Sequence, residues 1–258
     1  AYACALLMLK AGMNTFFATA GAMIIVAVVC GIVAFVTLRV TEEDYFAIVT
    51  LGVGEMLRLV ALNEVWLTKG ALGLTGIPRP LGDVVPPEYY QYFMLGLSVA
   101  LLLGTLWFMN AIARSPFGRV MRAVREDDVV AATLGKHVLW ARVRIFAIGG
   151  AFIGLAGSLH AFYYQYIDPT QFSNIVIAYA FMAVIAGGRG AHRGTIWGAA
   201  VVMLLLEGSR FVKDLIPGID SDQLAAIRII IIGVGLIMLL IYKPQGFLRE
   251  YRLQVDLK

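Results

Sequence analysis

The chain has 258 residues, of which 60% are hydrophobic and 15% charged, with a formal net charge of +4. A soluble domain carries about 25% charged residues, and here the apolar residues fall in runs close to the roughly 20 that cross about 30 Å of hydrocarbon, so a water-soluble core is excluded and an all-α, polytopic transmembrane helical bundle is expected. The basic residues flank these runs and form no domain to grip phosphates, which points to membrane lipid and positive-inside topology and excludes nucleic acid.

Residues 1–9 are apolar but too short to cross alone, and no basic n-region marks a secretory signal. The sequence is expected to begin inside or just after a membrane segment. Residues 11–38 are uncharged and give the first full span. The two cysteines, Cys4 and Cys30, lie in apolar surroundings without metal or disulfide spacing and read as packing residues. After the polar turn RVTEED, residues 45–62 form a second span carrying Glu55 and Arg58, three apart and so on one helix face. Charges inside a span are costly and face a bundle interior or water. The pair reads first as a structural ion pair, or as Arg58 snorkelling outward, and second as a polar lining of a pathway.

Residues 63–88 are broken by glycines and by Pro78, Pro80, Pro86 and Pro87, so no regular helix runs through them; topology makes them an external loop. The next span, residues 89–113, opens with Tyr89, Tyr90 and Tyr92, suited to an interfacial belt. Residues 145–167 carry Gly150, Gly154 and Ser158 at a spacing of four, a stripe that lets helices approach closely in lipid. His160, towards the outer end, reads as a hydrogen-bonded packing residue. A short outer connection at residues 163–171 precedes an inward span at 172–186, the basic turn GGRGAHRG, and an outward span at 194–211 with Gly194 and Gly198 at its start. The turn lacks the lysine followed by Ser or Thr of a phosphate-binding loop. Pro217 and Gly218 break the chain, Ser221 or Asp222 caps a last helix to about Tyr242, and a basic tail follows. The expectation is one domain, residues 1–258, with about seven spans plus the N-terminal fragment.

Residues 114–144, RSPFGRVMRAVREDDVVAATLGKHVLWARVR, form a polar island between uncharged runs, with seven Arg or Lys and three acidic residues. Placing it in the cytoplasm also puts Arg39, Arg189, Arg193 and the tail inside. Fourteen basic residues then lie inside and seven outside, counting Arg58 and Arg228 as outer, which accounts for all 21. Phe117, Val120, Val124, Ala131 and Leu134 recur at near-helical steps, interrupted by Asp127 and Asp128. Residues 118–134 therefore read as one amphipathic helix on the inner surface, with Arg122 and Glu126 paired four apart and Gly135 as its stop. Such a helix either rests on anionic lipid or docks a soluble subunit. The acidic run 126–128 favours docking.

The segments DYFAIVTLGVGEMLRLV, TKGALGLTGIP, SPFGRVMRAVREDDVVAATLG, AFIGLAGSLHAFY, AGGRGAHRGTIWGA and KPQGFL, in this order, resemble the permease subunits of branched-chain amino-acid ABC importers, a group that includes urea and short-amide importers. The resemblance implies a multi-pass protein of a bacterial or archaeal plasma membrane. It implies a second permease subunit, two cytoplasmic ATP-binding subunits that use ATP and magnesium, and a periplasmic or lipid-anchored substrate-binding protein. This chain itself is then no enzyme and binds no cofactor. The island resembles the importer motif Glu-Ala-Ala, three residues, Gly: Ala131 and Gly135 match, whereas Val129 and Val130 replace the Glu and first Ala. The resemblance thus makes Arg119, Arg122, Arg125, Glu126, Asp127, Asp128, Ala131 and Gly135 the residues that couple to the ATPase. Lys69 stands where relatives often carry Gly. Branched-chain amino acid is the first substrate expected and urea or a short amide the alternative; no substrate ligands emerge beyond the pathway candidates Glu55 and Arg58. An ion-coupled secondary transporter needs intramembrane carboxylates or histidines, for which Glu55 and His160 are the candidates. A membrane-embedded enzyme finds no paired carboxylates, nucleophile–base spacing or metal cluster in the sequence.

Overall fold

The computed structural model describes residues 1–40, 43–82, 84–188 and 192–215, with isolated positions between 230 and 241. The chain divides into two compact units, Ala1–Ser173 and Asn174–Lys258. Arg189, Lys243, Arg249, Arg252, Lys258, Pro217, Gly218, Ser221, Asp222 and Arg228 lie outside the described residues, as do the side chains of Arg193, Arg210 and Lys213. The predicted last helix lies outside them too, apart from those isolated positions.

The first unit is built on α2 (Thr15–Val40) and α8 (Val138–Tyr164). Both are apolar around most of their circumference, the pattern of a buried or membrane-spanning helix. Phe16, Ile24 and Ile32 of α2 are exposed, at 79%, 65% and 59%, as suits faces turned to lipid. The sides that meet are lined by small residues. A Cβ on Gly150 would stand 2.7 Å from Cys30 Cβ and Sγ, and one on Gly154 would stand 3.0 Å from the Met23 Cα. Ser158 is fully buried and its Oγ donates to the Gly154 carbonyl at 2.9 Å. The predicted stripe is therefore a backbone-to-backbone seam, and Cys30 is a packing residue within it.

Short α1 (Tyr2–Leu9) lies along this pair, burying Cys4, Ala5 and Met8. Gly157 lets the chain start approach α8, since a Cβ there would be 2.5 Å from the Ala1 nitrogen. Next come α3 (Glu43–Asn63) and a one-turn α4 (Val65–Thr68). The Gly- and Pro-rich stretch that follows is ordered by a strand of two residues. In it β1 (Leu74–Thr75) pairs antiparallel with β2 (Tyr166–Ile167), Leu74 opposite Ile167. This ladder brings residues 63–88 and the connection after α8 to one end of the unit, in keeping with the shared side expected for both. Lys69 has φ 59 and ψ 14, the left-handed conformation that glycine adopts at least cost.

The helix α5 (Tyr90–Arg114) follows. Tyr89 and Tyr92 are exposed, at 62% and 73%, as an interfacial belt requires. Tyr90 departs from that expectation: it is buried under the Arg79 guanidinium, 4.9 Å from its ring, with its hydroxyl 3.4 Å from the Pro80 carbonyl. Neighbouring tyrosines point about 100° apart on a helix of 3.6 residues per turn, so one faces the core.

The second unit contains α9 (Asn174–Gly187) and α10 (His192–Leu215), packed together through Ala183, Val202 and Leu206. Glycines set their approach: a Cβ on Gly187 would run into the Gly194 carbonyl, and one on Gly198 into the Ala183 carbonyl. Among the described residues four helices are long and apolar enough to span: Thr15–Val40, Tyr45–Asn63, Pro87–Arg114 and Val138–Tyr164. The predicted inward span at 172–186 is the 14-residue α9, about 21 Å long at 1.5 Å per residue and short of the roughly 30 Å hydrocarbon layer.

Replacing Gly154 by Leu forces α2 and α8 apart and is expected to destabilise by about 1–3 kcal/mol or more, as overpacking does. Gly149→Leu serves as the control, because a Cβ at Gly149 meets nothing within 4 Å. The thermal midpoint in mild detergent is expected to fall for the first variant and hold for the second.

Candidate functional site

The island between α5 and α8 starts with a helix signal. Ser115 is the N-cap of α6 (Pro116–Glu126) and accepts from the Gly118 amide at 3.3 Å, with Pro116 in the first turn. Gly118 is required by crowding, since a Cβ there would strike the Ile112 and Ala113 carbonyls at the end of α5. Ser115 Oγ also donates to the Ile112 carbonyl at 2.6 Å, and Arg122 Nη1 to the Ala113 carbonyl at 2.9 Å. These contacts bend the chain sharply at the end of α5 and satisfy carbonyls that the helix end leaves without intrahelical partners.

The single helix expected over 118–134 is two helices. Asp127 has an extended backbone (φ −158, ψ 111) and caps a second helix, α7 (Asp128–Thr133), by accepting from the Val130 amide at 2.9 Å. The physical reason is competition. An Asp side chain offers its own backbone a turn in place of the helical ladder, and so favours a cap over a mid-helix position. The predicted Arg122–Glu126 pair is also replaced: Arg122 goes to the Ala113 carbonyl, and Glu126 pairs with Arg125 at 3.3 Å. Asp128 instead reaches Arg142 of α8 at 3.5 Å, tying the two helices. Gly135, with φ +75, ends α7 as expected, and the Gly135 and Lys136 amides donate to the Ala132 and Ala131 carbonyls.

Val124 and Ala131 turn inward, at 5% and 2% exposure. Arg119, Arg122, Arg125, Glu126 and Asp127 are exposed. So are Val129, Val130 and Leu134, at 68%, 52% and 71%. The result is a charged and apolar surface on a helix–break–helix. Of the named residues, Arg119 to Asp127 share the exposed side of α6 and its end, whereas Asp128 and Ala131 face α8 and the core. One signal the sequence reading omits is the Ser115–Pro116 pair, an N-terminus signature; the valines it notes in place of the motif Glu and first Ala prove to be exposed.

Glu55 and Arg58 form the expected ion pair. Arg58 Nη2 lies 2.5 Å from Glu55 Oε1, and its Nε lies 3.0 and 3.1 Å from the two carboxylate oxygens. Arg58 also lines a cavity of about 790 Å³ between α1, α2 and α3, whereas Glu55 is not among the residues lining it. His160 has the packing role expected of it. Its Nε2 is 3.0 Å from Gln171 Oε1 and its ring lies against Tyr164 and Phe172.

Residues 1–242 match the family described as branched-chain amino acid transport system / permease component. The high-affinity branched-chain amino acid transport system permease protein LivM of Salmonella typhimurium is 28% identical over 249 residues, covering 88% of this chain and 56% of that protein. LivM of Escherichia coli gives the same figures. A probable branched-chain amino acid transport permease protein LivM of Methanocaldococcus jannaschii is 26% identical over 213 residues, covering 81% and 61%. The chain thus spans little more than half the length of these curated relatives. No solved structure gives a significant match. With a polytopic all-α architecture and a family match over nearly its whole length, the chain belongs to the permease-component family of branched-chain amino acid transport systems.

Proposed function

We propose that this chain is a permease subunit of an ATP-driven importer for branched-chain amino acids in a bacterial or archaeal plasma membrane, forming half of the translocation pathway. The observation that carries the coupling half of this reading is the exposed α6–α7 element, whose apolar patch of Val129, Val130 and Leu134 sits beside the charges of Arg122 to Asp127. A helix resting on lipid turns its apolar face to the membrane, whereas here the inward face is already used by Val124 and Ala131. An apolar patch rimmed by charge suits a protein partner. The partners are a second permease subunit, two cytoplasmic ATP-binding subunits that consume ATP with magnesium, and a periplasmic or lipid-anchored binding protein that delivers substrate. Closure of the ATP-binding subunits pushes on α6–α7, and the packed helices switch between discrete arrangements.

Three outcomes follow for an affinity-tagged chain, the first two read in mild detergent and the third in proteoliposomes holding the assembled importer. ATP-binding subunits and a second permease are expected to co-purify, and their absence under conditions that keep the chain folded overturns the reading. Val130→Asp places a charge in the proposed contact and is expected to weaken that co-purification by at least about tenfold, the effect of roughly 1.4 kcal/mol, while the chain still inserts in the membrane. Replacing Arg122, Glu126 and Asp127 together by Ala is expected to leave ATP hydrolysis running without import, and normal coupled import contradicts the role given to α6–α7.

A further inference from the structure

The cavity of about 790 Å³ beside Arg58 has walls from Leu6 and Leu7 of α1, Ile25 and Val29 of α2, and Leu57 of α3. It lies within the size range of small-molecule sites, about 300–1,000 Å³, which typically combine apolar walls with a few placed polar groups. The polar groups here are unequal. Lys10 donates to the Trp66 carbonyl at 2.8 Å and sits 5.4 Å from that ring, while Glu64 accepts from Trp66 Nε1 at 2.6 Å, so both are engaged around the tryptophan at the rim. Among the described residues Arg58 pairs with Glu55, one turn away on its own helix, and it reaches the cavity wall. Tyr2 lines the same cavity, and its buried hydroxyl has no hydrogen-bond partner among the described residues.

We propose that this cavity is a transit site for a zwitterionic amino acid with a branched aliphatic side chain, a step that rests on the import reading above. The substrate carboxylate takes the planar fork of Arg58, which suits bidentate recognition, and the substrate ammonium takes Glu55, which Arg58 holds beside the cavity wall although it does not itself line it. The exchange is balanced: a neutral ion pair opens around a neutral zwitterion, and every charge keeps a partner. A branched carboxylic acid lacking the ammonium leaves Glu55 unpaired, and a branched amine lacking the carboxylate leaves Arg58 unpaired. Both are disfavoured, since an unpaired charge within a span is costly. The aliphatic side chain lies against the leucines and valine.

Gly54 supplies the test. It lines the cavity, and a Cβ there meets nothing within 4 Å, so Gly54→Cys introduces a thiol without disturbing the packing. The assembled importer carrying this variant is reconstituted in proteoliposomes and treated with a charged thiol reagent, the same preparation without it correcting for Cys4 and Cys30. L-Leucine is expected to slow labelling by about tenfold at saturation, while 4-methylpentanoate and isoamylamine leave it unchanged. Adding Arg58→Gln is expected to abolish the protection, by the roughly tenfold to hundredfold loss that follows removal of a charged hydrogen-bonding partner. Labelling indifferent to leucine in vesicles that import leucine overturns the transit site and leaves the permease reading intact. A thiol that never labels means the cavity is filled by protein, which also overturns it. Vesicles that bind every partner yet import no leucine overturn the substrate reading, and the transit site falls with it.

Discussion

The first unit depends on one constraint, the absence of side chains where α2 and α8 meet. Between transmembrane helices the hydrophobic effect offers little, because lipid tails are as apolar as leucine, and close van der Waals packing has to hold the pair. Gly150 and Gly154 provide it by letting α8 reach the α2 backbone at Met23 and the Cys30 side chain. Other parts take their position from this seam. Along α8, Gly157 receives the start of α1. The C-terminal end of α8 leads into the β2 strand that pairs with β1 and orders the glycine-rich loop, and its N-terminal end holds Arg142, the tether of α7.

What was legible in the sequence was what the helix period dictates locally. Small residues at a spacing of four had to fall on one face, and Glu55 had to face Arg58. The left-handed stop at Gly135 was legible for a different local reason, because few other residues accept that backbone at so little cost. The break at Asp127 was not read, because the apolar stripe continues beyond it and periodicity alone favours one rod. The cap chemistry that breaks the rod is carried by a single side chain whose oxygen outcompetes the ladder. The β1–β2 pair left no local trace, being two residues on each side joined across most of the first unit. Tyr90 turns to the core while Tyr89 and Tyr92 stay exposed, a difference that residue type alone does not signal and that follows from the roughly 100° between neighbours on a helix. The cavity beside Arg58 was out of reach as well, since its walls come from separate helices whose meeting no one segment encodes.

The break at Asp127 changes what the proposed coupling element can transmit. A continuous rod would carry a push along its own axis. Two short helices joined at an extended residue instead have separate anchors. α6 is fixed to the end of α5 through Ser115, Gly118 and Arg122, and α7 is fixed to α8 through Asp128 and Arg142. These two spans are held differently: α8 is locked to α2 by backbone contact, while α5 meets α8 through side chains such as Phe108 and Phe152, whose rings lie 5.4 Å apart. Side-chain contacts re-form after a small slide, whereas a glycine seam does not tolerate one without separating. On the proposed reading, a partner pressing on the exposed side of α6 therefore shifts α5 against a fixed α2–α8 pair, while the valines of α7 sit on the anchored side of the joint. On that reading the joint is the extended Asp127 between α6 and α7, and the membrane seam stays intact.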